Sequence, residues 1–106
     1  MEYRSILFGL VRLHVLHHAS KEDVFGLEMI RELGRHGYNI SPGTLYPLLH
    51  GMEREGYLKS AKRQAVGRIR KFYRATRKGK SALAKARDQV RELFGELFEE
   101  DPPEGD

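Results

Sequence analysis

Cysteine is absent from the 106 residues, which excludes disulfides, thiolate metal centres, iron–sulfur clusters and a cysteine nucleophile, and fits a reducing compartment. Tryptophan is absent as well, so an aromatic ligand would have to stack on tyrosine or phenylalanine. No long apolar run exists. The stretch Ile6 to Leu16 is interrupted by Arg12 and His14, falls short of the roughly 20 apolar residues of a membrane-spanning helix, and is not followed by a small-residue cleavage site. Neither a membrane segment nor a secretory signal is expected, and the cytoplasm is the default location. Also missing are a G-x-S-x-G elbow, a phosphate-binding loop and an H-E-x-x-H pair. The chain is therefore not expected to be an enzyme or to carry a cofactor.

What remains is one domain's worth of chain. Apolar residues make up 40% and charged residues 32%, too apolar for a wholly disordered protein. The formal net charge of +4 conceals a segregated pattern. Residues 1–58 carry six Lys/Arg and seven Asp/Glu, residues 59–91 carry thirteen basic side chains against the single acid Asp88, and residues 92–106 carry seven acids and no base. A block of that sign seeks polyanions. It also contains Tyr57 and Leu58 at its edge and Ile69, Phe72, Tyr73, Leu83 and Val90 within it, so it belongs to the fold and is not a solvated tail.

Periodicity supplies the elements. Ile6, Leu7, Leu10, Val11, Leu13 and Leu16 recur at helical spacing and predict a first helix over residues 2–17, apolar over more than one stripe and so in contact with both its own core and another chain. Ser20 and Asp23 are spaced as a cap for a second helix carrying Leu27, Ile30 and Leu33, which ends near Gly34 or Gly37. In SPGTLYPLLHGMEREGYL, Ser41 to Leu58, Ser41 is an N-cap with Pro42 in the first helical position. Leu45, Leu48, Leu49 and Met52 form one apolar face, Thr44, Tyr46, Pro47, His50 and Arg54 turn elsewhere, and Gly56 ends the helix. Pro47 lacks the amide that would bond to Gly43 and predicts a kink or a loosened first turn. Period two then takes over in Tyr57 to Lys62 and Ile69 to Ala75, a two-stranded hairpin with a basic tip. Thr76 caps a last helix running to about Glu99, with Leu83, Ala86, Val90, Leu93, Phe94, Leu97 and Phe98 on one face. That stripe needs a partner, and a second copy of the chain is the economical one.

A mainly α fold with a small β-hairpin, in this order, describes a winged helix-turn-helix with a long C-terminal dimerisation helix. The expected divisions are a DNA-binding unit over residues 1–76, the dimerisation helix over 77–100 and a disordered acidic tail over 101–106. In this reading the third helix enters the major groove through Ser41, Gly43, Thr44 and Tyr46, whose small and polar outer positions allow close approach. Arg63, Arg68, Arg70 and Lys71 at the wing grip phosphates without reading sequence. Arg77, Lys78 and Lys80 occupy the first turn of the last helix, where the dipole disfavours cations and a phosphate would offset the cost. Ile6, Leu10, Leu83, Val90, Leu93, Phe94, Leu97 and Phe98 are the expected dimer contacts.

SPGTLYPLLHGMEREGYL together with RKFYRATRKGKSAL, Arg70 to Leu83, closely resembles the PadR family of bacterial and archaeal transcriptional regulators, and the likeness covers nearly the whole chain. It implies a homodimeric repressor with an N-terminal winged helix-turn-helix, similar in length to the short subgroup with a single C-terminal helix. Ser41, Thr44 and Tyr46 match the family's recognition-helix positions, and Arg68, Arg70 and Lys71 match its wing. Two departures stand out: His17 to Phe25 lacks the family's short proline-containing turn, and Ala75 stands where the family favours leucine. Family members often answer to phenolic acids, other small aromatic molecules or toxic compounds, for which Tyr3, Phe94 and Phe98 would be the stacking residues here.

His14, His17 and His18 can share a helix face, but three histidines without cysteine or carboxylate are a weak ligand set, and histidines in a last helical turn are favourable unliganded; no metal is assigned. Two functions stay open. One is a sequence-specific repressor on a palindromic double-stranded operator; the other is an architectural or interaction protein using the basic 59–91 block non-specifically.

Overall fold

The computed structural model describes residues 2–99; the acidic tail expected over 101–106 lies outside them. Seven elements follow one another: α1 (Tyr3–Lys21), β1 (Val24–Phe25), α2 (Gly26–Arg35), α3 (Pro42–Arg54), β2 (Leu58–Ala65), β3 (Arg68–Ala75) and α4 (Arg77–Phe98). The strands form one antiparallel sheet in the order β1-β3-β2. The mainly α winged helix-turn-helix expected from periodicity is the fold observed.

The core lies where α1, α2, α3 and the sheet converge. Val11, Val15, Leu33, Leu45 and Leu49 are fully enclosed, with Met29, Leu58 and Tyr73 at most 1% exposed. The helical ones stand four residues apart, Val11 with Val15, Met29 with Leu33 and Leu45 with Leu49, so each of these helices buries the stripe its sequence period dictates, whereas in β3 the neighbours Phe72 and Tyr73 are both buried. Beyond this core α4 extends outward, and the molecule measures 61 × 28 × 25 Å.

Two turns of the path set the geometry of the helix-turn-helix. At the end of α2, Gly37 adopts φ +91, the Gly37 amide donates to the Gly34 carbonyl at 3.1 Å and the Tyr38 amide to the Leu33 carbonyl at 2.9 Å. At the end of α3, Gly56 adopts φ +88, with Gly56 donating to Glu53 at 3.0 Å and Tyr57 to Met52 at 2.9 Å. Both are Schellman motifs, in which a left-handed residue lets the chain satisfy the last carbonyls and turn away.

Three boundaries differ from expectation. α1 continues to Lys21, because the Ser20 hydroxyl donates back to the His17 carbonyl at 2.7 Å and so serves the end of α1 instead of opening α2. The opening of α2 is held by Glu28, whose carboxylate accepts from the Phe25 amide at 3.3 Å. Between the helices, Val24 and Phe25 pair with Tyr73 and Phe72, so the hairpin becomes a three-stranded sheet. In α3, Ser41 has the extended backbone of an N-cap, but its hydroxyl makes no bond to a helix amide and lies 3.3 Å from the Thr44 hydroxyl. The helix runs unbroken through Pro47.

Candidate nucleic-acid interface

α3 is anchored on one side and open on the other. Leu45, Leu49 and Met52 are buried, while Ser41, Pro42, Gly43, Tyr46, Pro47 and His50 are exposed and Thr44 is half-buried. Tyr46 leans across the start of α2: a Cβ on Gly26 would lie 2.5 Å from its ring and hydroxyl. The ring is thus seated by a missing side chain on another helix, and still 38% exposed.

That seat belongs to a cleft joining two parts of the expected interface. Tyr46 from α3, Phe25, Gly26 and Leu27 from the α2 start, and Arg68, Ile69, Arg70 and Lys71 from β3 line it together. The register of the wing explains its charge. Lys59 faces Arg74, Lys62 faces Lys71 and Arg63 faces Arg70 across the β2–β3 ladder. Like charges directly opposite destabilise a sheet by a few tenths to about 1 kcal/mol per pair. Two acids offset part of this. Asp23 holds Arg63 at 2.9 Å and Arg74 at 3.1 Å. Glu53 on α3 sits 3.7 Å from the Lys71 ammonium and accepts from the Ser60 hydroxyl at 2.7 Å. Arg63 and Arg70 also lie over the rings of Phe72 and Phe25, at 3.8 and 4.5 Å from the centroids. Such stacking fixes a guanidinium plane while leaving its edge open to an acceptor. Arg70 Nε is buried without a hydrogen-bond partner among the described residues.

The expected phosphate contacts therefore divide. Arg68, Arg70 and Lys71 border the cleft with Tyr46. Arg63 is turned to Asp23 and Phe72, outside it. Lys78 has a partner within the chain: its ammonium donates to the Glu55 carbonyl at 2.7 Å and lies 4.7 Å from the Tyr57 ring centroid. The negative end of the α3 dipole thus receives this cation, and the placement of Lys78 at the start of α4 needs no phosphate. Arg77 and Lys80 are exposed. Thr76 caps α4 as its sequence predicts, accepting from the Gly79 amide at 3.0 Å and donating to the Gly56 carbonyl at 2.6 Å.

Sequence reasoning missed Asp23, Glu53 and the Phe25–Leu27 corner of the cleft. Asp23 and Phe25 lie in a polar-looking connection whose strand character exists only through β3. The signal available was the pairing of lone acids with an over-charged hairpin.

The second surface of interest lies between α1 and α4. Leu10, Leu13, Leu83, Val90 and Phe94 line an apolar groove there, together with His14, His17, Arg87 and Arg91. Ile6, Leu93, Leu97 and Phe98 add exposed apolar area along the same two helices, Phe98 being 68% exposed. Leu83 also packs against the chain's own core. Of the three residues expected to meet an aromatic ligand, Phe94 lines the groove, whereas Tyr3 and Phe98 stand outside it.

Comparison with known proteins agrees with this geometry. Residues 15–85 match the family model described as the transcriptional regulator PadR-like family. The chain is 51% identical over 95 residues to Transcriptional regulator Rv3488 of Mycobacterium tuberculosis, covering 90% of this chain and 89% of that protein. Among solved structures, a PadR-like transcriptional regulator from Bacillus cereus superposes with a TM-score of 0.76 at 28% identity, over 92% of this chain and 99% of that one. A PadR-like transcription factor from Bacteroides fragilis superposes at 0.78 with 25% identity, over 90% and 93%. With the family model spanning the helix-turn-helix, the wing and the first part of α4, the chain belongs to the PadR-like family of transcriptional regulators.

Proposed function

We propose that the chain acts as a homodimeric, sequence-specific repressor. In this reading each copy places α3 in the major groove of a palindromic operator and lays its wing on the adjoining phosphates. Family membership makes it a transcriptional regulator and not an enzyme, and no described helix is long and apolar enough to cross a membrane. The observation that carries the reading is the single cleft shared by Tyr46 of the exposed α3 face and Arg68, Arg70 and Lys71 of the wing. One duplex seated there would meet a base-reading surface and a phosphate-binding surface together.

The exposed apolar stripe of α4 supports the dimer, since Leu93, Phe94, Leu97 and Phe98 are 46% to 68% exposed among the described residues. A second copy would cover them and set the two α3 helices against half-sites about one turn of DNA apart, roughly 10 bp, or a multiple of it. The α1–α4 groove is the seat proposed for a small aromatic effector, with Phe94 as its stacking face and Arg87 and Arg91 available to a carboxylate or phenolate.

The test is binding to the chain's own upstream promoter fragment and to random duplex, each followed across a salt series. Tyr46→Ala should shrink the ratio of the two affinities. Arg68→Ala should weaken both equally and reduce the salt slope by about 0.9 per copy. Equal affinity of the unaltered protein for promoter and random DNA would favour the non-specific, architectural role instead.

A further inference from the structure

On the side of α1 facing α2, three imidazoles converge. His14 and His18, one turn apart on α1, meet His36 at the C-cap of α2, and one ring nitrogen from each lies within 4.8 Å of the others. The His14 and His36 rings stack at 4.9 Å between centroids and the His14 and His18 rings at 6.2 Å. Glu32, one turn before His36, presents Oε1 3.9 Å from both His18 Nε2 and His36 Nε2, while its other oxygen pairs with Arg35. His18 Nε2 is buried and has no hydrogen-bond partner among the described residues. Each helix thus contributes a pair four residues apart, the spacing that puts two side chains on one face.

We propose that His14, His18 and His36, with Glu32 as the fourth donor, form a binding site for a divalent transition metal, zinc being the type ion. Three imidazole nitrogens and one carboxylate oxygen are a tetrahedral zinc set, with metal–nitrogen distances of about 2.0–2.1 Å. Those distances place the nitrogens about 3.4 Å apart, so the present cluster must close by a little over 1 Å. The His36 side chain, 48% exposed, has room to swing inward. An all-nitrogen-and-oxygen set without thiolate suits Zn(II), Ni(II) and Co(II) and discriminates against Mg(II) and Ca(II), which demand six or more oxygens. Burial, with the neighbouring imidazoles adding to it, lowers the pKa of His14. Burial also lowers that of His18 against the opposing pull of Glu32. The site differs from the histidine triplet visible in sequence: His17 is exposed, lines the α1–α4 groove and meets His18 edge-on at 5.2 Å between ring centroids, and the third imidazole of the cluster is instead His36, eighteen residues beyond His18.

An ion there would clamp α1 to the last turn of α2, so binding should raise the thermal midpoint as well as register directly. The experiment is titration of the untagged full-length chain with Zn(II) alone and Co(II) alone, read by calorimetry and, for cobalt, by visible absorption. The expected result is one ion per chain at micromolar affinity or tighter, with a tetrahedral cobalt spectrum. His18→Ala and His36→Ala should each weaken binding on the order of 100-fold, and Glu32→Gln about 10-fold. His17→Ala and His50→Ala should change nothing. His36 lies at an exposed cap, so His36→Ala remains folded by circular dichroism and keeps the test decisive if His18→Ala does not. Undiminished binding by His36→Ala, weakening by His17→Ala or His50→Ala instead, or affinity no better than millimolar would overturn the site.

Discussion

At the scale of single residues, two glycines show how differently a missing methyl can matter. Gly79, buried in the first turn of α4, faces the Tyr57 backbone carbonyl, which an added Cβ would approach to 2.2 Å. Backbone cannot swing aside, so Gly79→Ala should cost about 3 kcal/mol in denaturant unfolding. Gly26 faces the far end of a tyrosine side chain that is free to rotate. Gly26→Ala should therefore cost less than about 1 kcal/mol, yet displace Tyr46 and diminish operator preference over random DNA in the same binding assay. A third position carries backbone strain. Val66 at the wing tip has φ +54, a left-handed value that costs a β-branched residue on the order of 1 kcal/mol. Val66→Asn, which makes the Asn-Gly pair favoured in two-residue hairpin turns, should raise the thermal midpoint by a few degrees.

At the scale of elements, most of the fold was legible in the sequence because its helices bury stripes with a strong local period. Leu45, Leu49 and Met52 identify the inner face of α3 without reference to any other segment, and by subtraction they identify its outer one. Thr76 announced the start of α4 for a similarly local reason, since its hydroxyl caps its own helix. What stayed hidden depended on distant chain. Val24 and Phe25 are too short for any periodicity and become a strand only by pairing with Tyr73 and Phe72. Ser20 and Asp23 imitate a capping pair, but the hydroxyl serves the preceding helix and the carboxylate serves the wing arginines. In the candidate site, Ser41 to Tyr46 and Arg68 to Lys71 could be named from motif and charge. That Lys78 answers to Glu55 could not, because it follows from the placement of two helix ends. The expected pairing of α4 can be checked directly: Leu93→Asp with Leu97→Asp should yield monomers by light scattering while leaving the circular dichroism of the winged unit intact.

At the scale of the whole molecule, the segregation of charge acquires a direction. Basic side chains concentrate in the wing and the first turns of α4, whereas Glu92, Glu96 and Glu99 lie at the outer end of that helix. In the proposed role, polyanionic DNA would be drawn to one end and repelled by the other, orienting the approach before contact. Affinity should fall steeply with salt, and charge-reversing Lys62→Glu with Lys71→Glu should abolish promoter binding at physiological salt. The paired like charges of the wing imply a further effect. A saturating promoter duplex should raise the thermal midpoint of the protein, and Arg70→Ala should reduce that gain more than Arg77→Ala, because only Arg70 borders the cleft shared with α3.

The hydroxyl of Thr76, bonded at once to the Gly56 carbonyl and the Gly79 amide, fastens the tail of α3 to the head of α4. The 22 residues of α4 make a rod about 33 Å long, so one degree of tilt at this joint moves its far tip by about 0.6 Å. Two such rods crossed in a dimer would work as a pair of cranks, turning a slight change of crossing angle into a different separation of the reading heads.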